Sequence, residues 1–156
     1  MIQLLVDGHW LTVRDGDARA LAIFKQHYSY RHRAHGQLRG SSTFVGQGEK
    51  MVLLTADLSA LFVWQRSTVE RRDHQEGARC SIFRNTGAVL SSTLITEAES
   101  LAWARWPGLR LFTYVNAGRI RSTNPGYCFL MAGWTRLSQR SPGGLVILEK
   151  LPLVTG

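Results

Sequence analysis

Between Ala78 and Trp134 the apolar positions alternate between two periods. Ala78 to Arg84 (ARCSIFR) is a short apolar run bounded by Gly77 and by Asn85-Thr86-Gly87, the pattern of a strand. After Ser91-Ser92, the stretch TLITEAESLAWARW places Leu94, Ile95, Ala98, Leu101, Ala102 and Trp106 at three- and four-residue steps, one face of a helix. Either serine is expected to cap its start, Glu97 and Glu99 precede Arg105 as the helix dipole favours, and Pro107-Gly108 ends it. Leu109 to Asn116 (LRLFTYVN) then reads as a second strand. Strand, helix and strand over this length predict a right-handed crossover with parallel strands. The helix N-terminus then lies beside the C-terminal end of the first strand, so Asn85 to Ser92 is expected to form an anion seat.

The flanks supply further elements. Ile2 to Val6 and Trp10 to Val13 surround the turn signal Asp7-Gly8, and Asp17 is a candidate N-cap for a helix beginning ARALAIF. The stretch SYRHRAHGQLRGSS reads as a surface loop. Thr43 to Val45 and Glu49 to Thr55 are expected as a strand interrupted at Gly46-Gln47-Gly48, with Ala60 to Gln65 its hairpin partner; Arg66 to Gly77 is charged and turn-like. Asn124-Pro125 starts a short helix running through Ala132 and ended by Gly133. Trp134 to Leu137 and Leu145 to Leu151 close the chain as two strands around Ser141-Pro142-Gly143-Gly144.

At 156 residues the expectation is one domain with a substantial core. The apolar runs are too short for a membrane span, and MIQLLVDGHW lacks the pattern of a signal peptide, so the reading is a soluble, cytoplasmic protein with no membrane partner. Cys80 and Cys128 fall in core elements, which points to reduced buried thiols. The net charge of +8 is unevenly spread: Lys25 to Arg39 holds four Lys/Arg and three His with no acid, and Ser100 to Leu148 holds six Arg with no acid. Tyr28 and Tyr30 lie among those cations, so Lys25, His27, Tyr28, Tyr30, Arg31 and Arg33 are read as a nucleic-acid-binding arm, which Arg119 and Arg121 extend. A nucleic acid is the expected partner; a solvated basic surface with no common target is the alternative. His27, His32 and His35 do not follow a metal-ligand spacing, and no metal is expected.

With its order of strand, helix, hairpin, strand, helix, strand, helix and two closing strands, and with NPGYCFLMAGW as a short helix ending in a Gly-aromatic pair, the region from Glu49 to Leu151 resembles the GNAT superfamily of N-acetyltransferases. FKQHYSYRH, FRN with SSTLI, and TYVN followed by RIRSTNPGYCF are most similar to its phage Mom-like DNA-modification branch. The resemblance implies an α+β fold, with a mixed, mostly antiparallel twisted sheet, splayed central parallel strands and flanking helices. It also implies acetyl-CoA or a related acyl donor, with its pantetheine arm between the splayed strands and its pyrophosphate on the following helix N-terminus. Carried over by position, Ile82, Phe83, Arg84, Asn85, Gly87, Ser91 and Ser92 bind that donor. The sequence departs from the family at Val89, where the Arg/Gln-x-x-Gly-x-Gly/Ala turn has a small residue, and at Phe129, where many members have a tyrosine acid.

Acyl transfer needs a bound donor, a stabilised oxyanion and a route for the amine proton. Tyr127 is the candidate acid, with packing its alternative role; Asn116 either reaches the cleft or hydrogen-bonds the next turn. Asp57 and Glu76 are candidate bases in turn-like sequence. Three functions follow: N-acylation of an exocyclic amine on a DNA base, adenine first; N-acetylation of a protein or small-molecule amine; or a non-catalytic nucleic-acid-binding module on the same scaffold.

Overall fold

The computed structural model describes residues 3–4, 8–26, 48–67, 75–116 and 126–153. The expected strand at Thr43 to Val45, most of Arg66 to Gly77, and the expected helix start at Asn124-Pro125 lie outside them.

The strands are β1 (Gln3–Leu4), β2 (Trp10–Val13), β3 (Glu49–Thr55), β4 (Ala60–Arg66), β5 (Ala78–Asn85), β6 (Leu111–Val115), β7 (Thr135–Arg140) and β8 (Val146–Lys150). The helices are α1 (Ala18–Phe24), α2 (Ser91–Arg105) and α3 (Tyr127–Met131). Among the described residues these eight strands join one sheet in the order β1-β2-β3-β4-β5-β6-β8-β7. Every pairing is antiparallel except β5 with β6, which is parallel as the crossover predicts. The fold is thus α+β with a mixed, mostly antiparallel sheet. No helix among the described residues is long and apolar enough to cross a membrane.

Alternation along the strands feeds two cores, because successive side chains leave opposite faces. Met51 and Leu53 of β3, with Phe62 and Trp64 of β4, meet Leu94, Ile95, Ala98 and Ala102 of α2. Val52, Leu54, Leu61 and Val63 meet Ala20, Ile23 and Phe24 of α1 on the other side. Asp17 caps α1 as expected, its Oδ1 accepting from the amides of Arg19 at 2.9 Å and Ala20 at 3.3 Å.

Indoles tie α2 to the sheet. Trp10 Nε1 donates to the Leu94 carbonyl and Trp64 Nε1 to the Ala98 carbonyl, each at 2.9 Å. Trp106 Nε1 donates to Glu49 Oε2 at 3.1 Å. Leu94 and Ala98 are one turn apart on the inner face of the helix, so bonds from two strands fix its height as well as its contact.

Glu99 of α2 is a buried acid, 2% exposed. Its Oε1 accepts from Lys150 Nζ at 2.7 Å and its Oε2 from Trp134 Nε1 at 2.8 Å. Lys150 also donates to the Ala132 carbonyl at 2.7 Å. The charge is tolerated because both oxygens are bonded, and the pair joins α2, β8 and the turn after α3.

Candidate functional site

The parallel ladder between β5 and β6 contains three register pairs, Ala78 with Leu111, Arg79 with Phe112 and Cys80 with Thr113. Beyond them β5 continues to Asn85 and β6 to Val115 with no further β5–β6 pair among the described residues. The cause lies in β5. Cys80 is opposite Trp64 and Ile82 is opposite Val63, which leaves Ser81 as an extra residue. Such a bulge bends its strand and increases the local twist. Here it also switches faces: Cys80 belongs to the α2-side core, Ile82 to the α1-side core, and Phe83 packs on the α2 side again. Thr113 Oγ1 donates to the Cys80 carbonyl at 2.9 Å where the ladder ends.

The turn from Asn85 to Ser92, read from the sequence as an anion seat, links the C-terminal end of β5 to α2. Asn85 organises it: Oδ1 accepts from the Gly87 amide at 3.0 Å, and Nδ2 donates to the Val89 carbonyl at 2.7 Å and to Ser91 Oγ at 3.0 Å. Neither serine is the cap. Leu90 is the N-cap, without a side-chain bond, which makes Ser91 and Ser92 the first two helical residues. The Ser91 hydroxyl is drawn back to Asn85 instead, and α2 begins with no capping side chain and no acid in its first turn. Amides at such a position attract an anion.

Gly87 is fixed by packing within the fold. A β-carbon there would collide with Ser59 Oγ and lie 2.7 Å from Ser59 Cβ. The Thr86 amide and Oγ1 both donate to the Ser59 carbonyl, at 2.8 and 2.6 Å, so the β3–β4 turn is pressed onto the turn after β5. Val89 packs against the α2-side core. Arg84 is opposite Leu61 on β4, and Leu61 belongs to the α1-side core; directly opposed residues share a face, so Arg84 lies away from α2. The buried Nε of Arg84 and Oγ of Ser81 have no hydrogen-bond partner among the described residues.

Asn116 follows β6 and is half-buried. A β-carbon on Gly126, the left-handed residue that opens α3, would collide with Leu148 Cδ1 and approach Val115 Cγ2 to 3.6 Å. That approach brings the start of α3, and with it Tyr127, to the C-terminal end of β6. Phe129 is buried, with its ring 6.0 Å from that of Phe83 and 4.8 Å from that of Trp134. Tyr127 is 56% exposed, so these two positions occupy opposite sides of α3.

The other candidates separate. Asp57 is exposed and accepts from Ser59 Oγ at 2.6 Å and the Ser59 amide at 3.1 Å; the Ser59 hydroxyl first, then Thr55, holds its carboxyl below the ordinary range, a poor setting for a base. Both thiols are free, and burial pushes Cys80 far up and Cys128 upward. The Cys80 thiol donates to the Ile82 carbonyl at 3.5 Å across the bulge. Of the expected arm, Lys25 lies exposed just after α1; His27, Tyr28, Tyr30, Arg31, Arg33, Arg119 and Arg121 lie outside the described residues, as do His32, His35 and Arg39. Among the described residues no three His, Cys, Asp or Glu gather as metal ligands do. The Ser81 bulge and the indole bonds to α2 were missed by sequence reading; five tryptophans in 156 residues were the available signal for the second.

No protein-family model, curated protein or solved structure matches this chain.

Proposed function

We propose that this chain is a GNAT-type N-acyltransferase whose acceptor is an exocyclic amine of a DNA base, adenine first. The observation that supports it most is the parallel β5–β6 pair that stops after Cys80 and Thr113, beside the uncapped start of α2. A strand without a neighbour exposes a row of amides and carbonyls, so the backbone of Ser81 to Arg84 is suited to pair with the amide groups of a pantetheine arm. The Ser91 and Ser92 amides are suited to its pyrophosphate. When bound, an acyl thioester would supply the activated carbonyl.

Within this reading each residue has a limited task. Phe83, on the α2 side, would flank the donor while Ile82, on the opposite side, contributes its backbone, and Asn85 holds the turn at the start of α2. Gly87 lets that turn pass Ser59. Neither Cys80 nor Cys128 serves as an acyl carrier, because burial holds both in the thiol form. Direct transfer from donor to amine is the route this reading assigns. Asn116 orients the incoming amine, and Tyr127 stands at the same end to pass its proton toward the leaving sulfur or to water. The base lies flat on an aromatic-basic surface after leaving its stack.

Calorimetric titration with CoA tests the donor half. The wild-type chain is expected to bind, and Ser91→Pro to bind about tenfold more weakly, since proline is tolerated at the first helical position but lacks the N–H. No heat with the wild-type chain would overturn the donor reading, and equal affinity in Ser91→Pro would move the pyrophosphate off α2. Mass spectrometry of nucleosides from DNA of cells expressing the chain tests the acceptor: a heavier adenosine species is expected, and its absence assigns the amine elsewhere.

A further inference from the structure

Among the described residues β7 is the outermost strand and pairs with β8 alone. In an ordinary half-buried strand one set of alternate residues would be covered. In β7 five of the six residues are exposed and Leu137 is half-buried, whereas Val146, Ile147 and Leu148 of β8 are buried. β7 thus extends past the cover of the helices on both faces.

Its register gathers charge. Arg136 is opposite Leu148 and Arg140 is opposite Val146, while Leu137, Ser138 and Gln139 bulge against Ile147 alone. Leu148 and Val146 both belong to the α2-side core, so both arginines lie on that face. The bulge draws them together: they match positions two residues apart on β8, about 7 Å along the strand. Arg140 Nη1 donates to the Gly144 carbonyl at 3.2 Å, which leaves the rest of its guanidinium for a ligand. The Arg136 side chain is exposed and makes no hydrogen bond or ion pair with the described residues. No Asp or Glu occurs between Glu99 and Leu148, and the acids at the ends of that span are engaged: Glu99 with Lys150 and Trp134, Glu149 with Arg110.

An aromatic ring joins the arginines. Gly126 packs on Leu148, the cross-strand partner of Arg136, so Tyr127 begins α3 beside that row. Tyr127 is 56% exposed and Met131, one turn on, is 59% exposed. The far end of β7 returns to the opening, since Arg140 pairs with Val146 and Val146 with Val115, next to Asn116. We propose that Tyr127, Arg136 and Arg140 form a ledge for single-stranded nucleic acid, with an unstacked base on the Tyr127 ring and backbone phosphates on the two guanidiniums. Cations without competing carboxylates, next to an exposed aromatic face, are the chemistry that holds a single strand. The inference deepens the acyltransferase reading and rests on its nucleobase acceptor: the ledge delivers an unpaired strand to the cleft.

Fluorescence anisotropy with a short labelled single strand of DNA, repeated across salt concentrations, tests the ledge. Replacing both arginines (Arg136→Ala with Arg140→Ala) is expected to weaken binding and to reduce the salt slope by about 0.7 for each phosphate that is no longer neutralised. Tyr127→Ala is expected to weaken binding about tenfold while Tyr127→Phe retains it, because stacking needs the ring and not the hydroxyl. These side chains are exposed, and unchanged thermal melts verify that the variants fold. The ledge is overturned if the wild-type chain does not bind the strand, or if the double variant keeps its affinity and slope. It is also overturned if a duplex binds as well as the strand, or if polyglutamate competes as well as unlabelled strand. CoA calorimetry on the same preparations separates the two readings. Strand binding without CoA binding defeats the transferase and leaves the ledge; CoA binding without strand binding does the reverse.

Discussion

On the α2 side of the sheet, apolar contact is joined by indole hydrogen bonds from Trp10 and Trp64 into the helix backbone and by the buried Glu99–Lys150 pair. On the α1 side a seven-residue helix rests Ala20, Ile23 and Phe24 on Val52, Leu54, Leu61, Val63 and Ile82, with the Lys50–Asp15 pair just ahead of it. The difference follows from what hydrogen bonds add to packing. Apolar area decides which surfaces meet, but it is non-directional and leaves sliding inexpensive. A bond to one carbonyl specifies position along the axis. The helix that needs such positioning is α2, because its first turn is the proposed seat for the donor's pyrophosphate.

Trp64→Ala is the strongest challenge to that contrast. It removes a fully buried side chain and is expected to cost about 3–5 kcal/mol in urea denaturation, and to weaken CoA binding in the fraction that remains folded. Ile23→Ala on the other side is expected to cost about 2–3 kcal/mol with CoA affinity retained. If Ile23→Ala lowered CoA affinity as much as Trp64→Ala, the division between a positioning side and a merely packed side would fail.

Glu99→Ala comes next. It leaves Lys150 three-quarters buried without its carboxylate, and a loss of about 2–3 kcal/mol is expected, below the range for a fully buried pair because Lys150 retains some access to water. Adding Lys150→Met should return part of that loss. A double variant less stable than Glu99→Ala would show that Lys150 acts through its bond to the Ala132 carbonyl more than through the charge pair.

The smallest effect belongs to the cap of α1. Asp17→Ala is expected to cost about 1 kcal/mol near neutral pH. The Arg19 side chain first, then the Arg19 and Ala20 amides, hold the Asp17 carboxyl below its ordinary value, although burial opposes them. A folded-state value below the unfolded one means stabilisation that is fully present above the ordinary aspartate range and lost as the pH falls through the lowered value. Thermal melts of wild type and Asp17→Ala should therefore converge on acidification; a gap that stayed constant would assign the effect to helix propensity.

The periods along the chain were enough to locate the elements. The threefold spacing in α2, the alternation in β3 and β4 and the turns at Asp57, Pro107 and Gly143 each depend on neighbours only a few residues away. Asp17 was legible as a cap for the same reason. Ser91 and Ser92 were misread because Asn85, six residues before Ser91, takes the Ser91 hydroxyl and leaves the cap to Leu90. Gly87 was placed in the right turn, but the Ser59 that makes it necessary comes from another hairpin.

By itself, then, the sequence located the helices and strands of the described residues and indicated that β5 and β6 run parallel and that a helix N-terminus follows β5. Tertiary structure alone decided that Ser81 bulges where the β5–β6 ladder ends, that Glu99 is buried, and that Arg136 and Arg140 share one face of β7. The physical reason is range. Period and capping are written in adjacent side chains, whereas a bulge or a buried charge is settled by partners such as Val63, Trp64 and Lys150, far along the chain and close only once the sheet has formed.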